Sequence, residues 1–195
     1  MIPMIRLSII AILLISIYSC SNTYKNPHVR IETRLGNIEI ELYPEQAPQT
    51  VTAFLSYIDS GFYKDASFYR VLNTENQSMD AEKAELIQGG LYRSKIRPNL
   101  RGIPHETTDK TKILHKDGTL SLARLEPGSA TTEFFICIGD QPGFDFGGEN
   151  NPDKQGYAAF GKVVKGMNVV MKIYGRNESN QYFDPPIDIY KIVRL

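Results

Sequence analysis

Residues 29–42 read VRIETRLGNIEIEL, two runs in which apolar and polar side chains alternate, joined by Leu35-Gly36-Asn37. Alternation with a period of two predicts a β-strand with one buried face, and glycine beside asparagine is typical of a tight turn. The stretch therefore predicts an antiparallel β-hairpin with one face in the core.

The period changes after the hairpin. Pro44 and Pro48 interrupt the strand pattern. Apolar residues then recur at i, i+3, i+4 and i+7, the spacing of one helix face: Val51, Phe54, Leu55 and Ile58. Gly61 stands where a C-terminal capping glycine belongs. A helix should therefore follow the hairpin and pack its apolar face on the core.

Six short apolar or alternating runs bounded by turn residues follow in the remaining chain. Each predicts a strand, at 68–72, 85–88, 118–123, 134–138, 157–163 and 187–193. Residues 167–173 predict a second helix. Many short strands with two helices favour a closed antiparallel barrel that is capped at both ends.

The composition excludes several classes of function. The 195 residues include 22 basic and 22 acidic side chains, so no net charge draws in nucleic acid, and we expect no nucleic-acid partner. His28, His105 and His115 lack the spacing of a metal site, and we expect neither metal nor other cofactor. The two cysteines, Cys20 and Cys137, cannot form a disulfide framework, and Cys137 lies in an apolar run that predicts burial.

The N-terminus predicts export. The apolar run 7–17 follows one basic side chain, has the length of a signal-peptide core and is too short to span a membrane. It ends in Ile17-Tyr18-Ser19-Cys20, which resembles the lipobox of bacterial lipoproteins. The resemblance implies cleavage before Cys20 and acylation of its thiol, for example with palmitate. An ordinary secretory signal with a chance cysteine is the alternative.

This organisation gives three predicted segments. We expect a lipoprotein signal peptide at 1–19, a polar tether at 20–28 and one folded domain at 29–195. Two or more acyl chains anchor a protein stably to a membrane. The expected location is therefore the bacterial cell envelope, on the periplasmic or the surface face.

Three segments carry the functional signal: Ser67-Phe68-Tyr69-Arg70, Gln88-Gly89-Gly90 and Glu133-Phe134-Phe135-Ile136. Their functional side chains are an arginine, a glutamine and a phenylalanine. None of these is a nucleophile, and none titrates near neutral pH. The set suits a reaction in which no covalent bond is broken.

Together these segments resemble the active face of cyclophilins, the barrel-shaped peptidyl-prolyl isomerases. The resemblance extends to Ile103-Pro104-His105-Glu106, to the run 115–124 and to Phe160-Gly161, and so covers nearly all of 29–195. It implies a mainly β fold, a closed eight-stranded antiparallel barrel capped by two helices. It also implies catalysed rotation about X–Pro amides, whose barrier is about 18–20 kcal/mol.

The resemblance also implies the site. Arg70 and Gln88 are the expected catalytic residues. Arg70 can donate to the prolyl nitrogen or to the proline's carbonyl in the twisted state, and Gln88 can hold the substrate backbone. The expected substrate-binding residues are Leu86, Phe135, Phe144 and Glu133.

The chain departs from the family pattern beside this site. Tyr69 replaces the histidine that usually precedes the arginine, and residues 73–83 form an insertion between Arg70 and Gln88. Glu85-Leu86 stands where the family has phenylalanine and methionine. We expect Glu85 beside the pocket wall, where its carboxylate can pair with Arg70 and weaken catalysis.

Two functions remain open at this point. The leading one is a monomeric peptidyl-prolyl cis–trans isomerase that assists the folding of exported proteins and takes their proline-containing segments as partners. The alternative is a catalytically weakened cyclophilin fold that acts as a binding module or holdase chaperone. Glu85 and the insertion favour the alternative, whereas Arg70, Gln88 and Phe135 favour activity.

Overall fold

The computed structural model describes residues 24–95 and 98–195. Within that part of the chain the strands are β1 (His28–Thr33), β2 (Gly36–Leu42), β3 (Ser67–Leu72), β4 (Leu86–Gly90), β5 (Thr119–Leu122), β6 (Phe134–Cys137), β7 (Ala158–Lys165), β8 (Glu178–Ser179) and β9 (Tyr182–Arg194). The helices are α1 (Pro48–Asp59), α2 (Thr108–Thr111) and α3 (Met167–Tyr174), with 3₁₀ turns at Phe62–Asp65 and Pro142–Phe144. The predicted strands and both predicted helices are present, whereas α2 and β8 had no sequence signal.

Eight of these strands close into a barrel. They pair in the order β1-β2-β7-β5-β6-β4-β3-β9, every pair is antiparallel, and β1 pairs back on β9 from Val29 with Arg194 to Thr33 with Ile189. The two-residue strand β8 adds to β9 outside this ring. Closure removes the unpaired edges that an open sheet would expose. The expected eight-stranded antiparallel barrel is thus confirmed.

Helices α1 and α3 cover opposite ends of the barrel. In α1, Phe54 packs against Phe134 and Phe160 with ring centroids 6.0 and 5.1 Å apart, at the end where β2 finishes. In α3, Val169 lies at the other end against Gly36, the first residue of β2. A Cβ on Gly36 would approach a Val169 methyl to 2.8 Å, so the close approach of helix and strand depends on glycine. The capped architecture follows from these two contacts.

The faces of β4 and β6 divide the apolar residues into two clusters. Side chains with one parity, such as Ile87 and Phe134, are fully buried inside the barrel. Leu86, Phe135 and Cys137 have the other parity and form a smaller cluster outside the barrel together with Ala84 and Phe144. Because successive side chains of a strand point to opposite faces, the same two strands serve the core and the outer cluster.

A β-bulge in β3 brings two consecutive side chains to the outer face. Phe68 pairs with Gly89 and Arg70 with Gln88, so Tyr69 is an extra residue on its strand. Phe68 and Val71 both lie in the barrel core, whereas Tyr69 and Arg70 line an outer cavity. Bulges of this kind re-aim side chains next to active sites.

The predicted N-terminal segments lie largely outside the described residues. Cys20 and the signal peptide are among these, and their anchoring role stays a prediction. Strand β1 begins at His28, one residue before the expected start of the domain, and the Tyr24 ring stacks on His28 with centroids 3.7 Å apart. Residues 24–28 of the predicted tether therefore pack on the barrel. Among residues 24–95 and 98–195, no helix combines the length and apolarity that crossing a membrane requires.

Candidate active site

The two expected catalytic residues lie opposite each other on neighbouring strands. Arg70 of β3 pairs with Gln88 of β4, and Arg70 Nη1 donates to Gln88 Oε1 at 3.2 Å. The amide nitrogen of Gln88 donates to the Tyr69 hydroxyl at 2.6 Å. The bulge and the strand register thus combine Tyr69, Arg70 and Gln88 in one hydrogen-bonded row.

A second glutamine, Gln181, holds the other edge of the Arg70 guanidinium. Its Oε1 accepts from Arg70 Nε at 3.2 Å and from Arg70 Nη2 at 2.6 Å. Gln181 lies in the turn between β8 and β9, and no local sequence pattern links it to Arg70, so its contact with Arg70 was not predicted. Of the five N–H donors of Arg70, three are used in these bonds, and none of the described residues takes the other two.

The expected apolar wall forms a slot beside Arg70. Phe135 and Phe144 meet edge to face with centroids 5.3 Å apart, and Tyr157 packs on both at 5.2 Å. With Leu86, these three rings define the apolar slot, a cavity of about 180 Å³ that Arg70 and Gln88 also line. The structure therefore brings together Leu86, Phe135 and Phe144 as predicted, and adds Tyr157.

A buried histidine supports the floor of the apolar slot. The His115 ring lies parallel to Phe135 with centroids 6.0 Å apart. Its Nδ1 is 2.8 Å from Asp145 Oδ1 and its Nε2 is 2.9 Å from Ser121 Oγ. The order Ser–His–Asp matches a hydrolytic triad, but Ser121 is completely buried and no substrate can reach its hydroxyl. These contacts fix the ring under Phe135.

A second cavity adjoins the apolar slot across Arg70 and Gln88. This tyrosine cavity, of about 360 Å³, is lined by Tyr69, Tyr92, Tyr182, Leu125 and Glu133 among others. The three tyrosine rings stack, with Tyr69 and Tyr92 centroids 4.9 Å apart. Glu133 Oε1 accepts the backbone N–H of Leu91 at 2.8 Å. Burial, and then the Glu133 carboxylate, raise the pKa of the Tyr69 hydroxyl, so the phenol stays protonated.

Arg124 braces the rim that the two cavities share. Its guanidinium donates to both carboxylate oxygens of Asp153 at 2.7 and 2.8 Å and to the Gly156 carbonyl at 2.6 Å. The guanidinium carbon lies 5.5 Å from the centre of the Tyr157 ring. The hydrogen bonds from Arg124 lower the pKa of Asp153 to about 2. Arg124 thereby fastens the loop of residues 150–157 over the apolar slot.

The expected pairing of Glu85 with Arg70 is wrong. Glu85 lines neither cavity, and its Oε1 accepts the hydroxyl of Tyr174 at the end of α3. The reason is that alternate residues along a strand point to the same face. Glu85 therefore points to the same side as Ile87, whereas Leu86 and Gln88 point toward the site. The carboxylate therefore lies at the end of the barrel that α3 covers.

The structure gives no support for a metal site in the part of the chain it describes. No group of three or more histidine, cysteine or acidic side chains is close enough together to hold an ion there. Cys137 is fully buried, and burial raises the pKa of its thiol.

Comparison with known proteins places this geometry in a family. The family model for cyclophilin type peptidyl-prolyl cis-trans isomerases matches residues 28–194. A peptidyl-prolyl cis-trans isomerase of Acinetobacter baylyi is 38% identical over 162 residues, which are 83% of this chain and 77% of the relative. Peptidyl-prolyl cis-trans isomerase B of Escherichia coli is 35% identical over 148 residues, 75% of this chain and 84% of the relative.

The fold has solved counterparts as well. A Cryptosporidium parvum cyclophilin type peptidyl-prolyl cis-trans isomerase, crystallised in the presence of the dipeptide Ala-Pro, superimposes with a TM-score of 0.66 at 23% identity. The match covers 85% of this chain and 97% of the other. At this identity the likeness shows the fold alone, and the family is shown by the family model and the two bacterial relatives. The chain belongs to the cyclophilin-type peptidyl-prolyl cis–trans isomerase family, and it is an isomerase.

Proposed function

We propose that this isomerase acts through Arg70 on proline-containing segments of exported proteins, while a lipid on Cys20 holds it at the bacterial envelope. The observation that carries the catalytic part is the position of Arg70 and Gln88 on the border between the apolar slot and the tyrosine cavity. A peptide with its proline ring in the slot can lay its preceding residues along the tyrosine cavity. The X–Pro amide then lies over Arg70.

The proposed chemistry is selective stabilisation of the twisted amide. An uncatalysed X–Pro bond takes tens to hundreds of seconds to isomerise because resonance keeps the amide planar. As the bond twists, the prolyl nitrogen gains a lone pair that can accept a hydrogen bond. Arg70 has donors left for this lone pair, and a donor used only in the twisted state lowers the barrier.

Gln88 has a complementary role in the proposal. Its Oε1 accepts from Arg70 and its Nε2 donates to Tyr69, which leaves one acceptor position and one N–H for a substrate backbone. Such a contact would hold one side of the amide while the other side rotates. The Phe135 floor of the apolar slot would hold the proline ring by burial.

The holdase alternative loses its main support. It rested on a Glu85 carboxylate that neutralises Arg70, and Glu85 bonds Tyr174 instead. The insertion, which also favoured it, contributes a carbonyl that fixes Gln181 beside Arg70. Both observations favour catalysis over passive binding.

The test of the catalytic part is the cis–trans exchange rate of a short Ala-Pro peptide, measured by NMR with the full chain. Removing a donor that acts mainly in the transition state typically costs about 10²–10³ in rate, which is the loss we expect for Arg70→Ala. Arg93→Ala is the matched control, because Arg93 stacks on Tyr182 nearby and lines neither cavity. Wild-type rates in Arg70→Ala would refute the role of Arg70.

The envelope location is tested on cells. We expect the full chain to fractionate with membranes and to incorporate labelled palmitate, and Cys20→Ala to do neither. Cys137→Ala is the matched cysteine control, since Cys137 is fully buried in the apolar cluster outside the barrel and its removal should leave labelling unchanged. Membrane fractionation of Cys20→Ala would show that another contact anchors the protein.

A further inference from the structure

The turn between β8 and β9 has a backbone that suits glycine and a sequence without one. Asn180 and Gln181 have φ angles of 52° and 72°, and the flanking residues Ser179 and Tyr182 pair across the hairpin. Two positive φ angles in a two-residue hairpin define a type I′ turn, which strongly prefers glycine at its second position. Asparagine tolerates this backbone, whereas a glutamine there is strained. The turn alone does not explain why residue 181 has a long side chain.

The side chain of Gln181 has a specific destination. Its Oε1 receives two neighbouring donors on one edge of the Arg70 guanidinium, Nε at 3.2 Å and Nη2 at 2.6 Å. A contact along one edge fixes the plane of the guanidinium as well as its position. The Nη1 edge is thereby directed toward Gln88 and the two cavities.

Gln181 is itself held on three sides. Its Nε2 donates to the Asn76 carbonyl at 3.0 Å, its backbone N–H donates to Glu178 Oε2 at 2.7 Å, and its carbonyl accepts from Val71 at 2.8 Å. Asn76 belongs to the insertion, and its own Nδ2 donates to the Val71 carbonyl at 3.1 Å. The insertion and the hairpin thus form one hydrogen-bonded frame around the outer end of Arg70.

We propose that Gln181 is a positioning residue for the isomerase, and that the insertion at residues 73–83 serves to hold it against Arg70. The inference rests on the catalytic role proposed for Arg70. An arginine side chain has many rotamers, and a transition-state donor is effective only when it is already oriented. Gln181 lines neither the apolar slot nor the tyrosine cavity, so it acts through Arg70 and not on the peptide.

A purely structural role makes a different prediction. If residue 181 served only the turn, glycine would relieve strain at φ 72° and leave catalysis unchanged. If Gln181 positions Arg70, glycine would reduce turnover, while the relief of strain in the turn offsets part of the stability lost with the side-chain hydrogen bonds. Reduced turnover in a folded protein is therefore expected only under the proposal.

The test compares Gln181→Gly with Asn180→Gly in the full chain. Asn180 also has a positive φ and has an exposed side chain, so its variant places a glycine in the same turn without removing the contact to Arg70. We expect Gln181→Gly to lower kcat for an Ala-Pro peptide about tenfold, as the loss of a charge-assisted hydrogen bond would, with KM unchanged. Asn180→Gly should keep wild-type kcat. Equal kcat in the two variants would overturn the proposal.

A second measurement does not depend on activity. The ¹H–¹⁵N signal of Arg70 Nε should show restricted motion in the wild type and in Asn180→Gly, and free motion in Gln181→Gly. Gln181→Asn keeps an amide and tolerates the backbone but is one methylene shorter, so it should also free Arg70. Unchanged Arg70 dynamics in both Gln181 variants would overturn the proposal. An inactive wild type with an ordered Arg70 would instead count against the proposed function alone.

Discussion

Arg70 and Gln88 face each other across β3 and β4, and the 3.2 Å bond between Nη1 and Oε1 makes the two side chains one unit. Because Gln88 Oε1 is turned toward the guanidinium, its Nε2 is turned toward the Tyr69 hydroxyl. The orientation of the Gln88 side-chain amide is therefore set by the Arg70 guanidinium on one side and the Tyr69 hydroxyl on the other. The site has its polar geometry in place before any peptide binds, which reduces the ordering cost of catalysis.

Phe135 and Phe134 should separate binding from stability. They are neighbours on β6, with Phe135 at the floor of the apolar slot and Phe134 inside the barrel. We expect Phe135→Leu and Phe134→Leu each to lower the free energy of unfolding by about 1–3 kcal/mol, as measured in urea. Only Phe135→Leu should raise KM for an Ala-Pro peptide. A similar rise in Phe134→Leu would mean that the slot depends on the whole core.

Glu85 should be dispensable for catalysis. Its carboxylate accepts the Tyr174 hydroxyl and does not face Arg70, so Glu85→Gln keeps an acceptor and leaves the site unchanged. We expect its exchange rate to stay within about twofold of the wild type, the range of a remote substitution. A several-fold increase would show that the carboxylate does weaken Arg70 in solution.

Gly90 should resist a side chain more strongly than Gly139, although both have positive φ. It has a φ of 142°, and a Cβ there would lie 2.6 Å from the Glu133 carboxylate. The matched control is Gly139, with a φ of 65° and no atom within 4 Å of such a Cβ. We expect Gly139→Ala to cost about 1 kcal/mol of unfolding free energy and Gly90→Ala to cost more, by urea titration. Equal costs would exclude the clash with Glu133.

The Arg124–Asp153 pair should give acid sensitivity with a defined sign. The pKa of Asp153 falls from its ordinary 3.8 to about 2 in the folded chain, mainly through hydrogen bonds from Arg124. Its stabilising contribution is therefore complete above about pH 4 and is lost as the pH falls through about 2. The melting temperature of the wild type should exceed that of Asp153→Asn at pH 5, and the gap should narrow toward pH 2. A gap that is constant with pH would show that the charge of Asp153 is not involved.

The sequence predicted the parts of the fold that repeat a local period. The alternation in 29–42 and the helical spacing of Val51, Phe54 and Ile58 each mark a buried face, and both faces are buried as expected. Strand β9 begins five residues earlier than predicted, since Asp184-Pro185-Pro186 has the composition of a turn. A sequence pattern predicts a helix or strand only where one face of that element contacts water and the other contacts the core.

The candidate site was predictable where its residues belong to short sequence motifs. Arg70, Gln88 and Phe135 were identified from short motifs, and the structure brings them together. Gln181 was missed because its contact with Arg70 joins positions 111 residues apart. The error over Glu85 came from reading nearness in sequence as nearness in space, whereas a strand sends neighbours to opposite faces.

The bulge at Tyr69 makes one position of β3 independent of the barrel. Along a regular strand of the barrel, alternation directs each side chain either to the interior or to the exterior. A substitution there must therefore fit the packing of that face. Tyr69 is supernumerary in this count, since Phe68 and Arg70 already pair with consecutive residues of β4. A different side chain at this position would change the contact with Gln88 and the lining of the tyrosine cavity while leaving the interior undisturbed. The bulge thus gives the outer face one side chain that the packing of the barrel interior does not constrain.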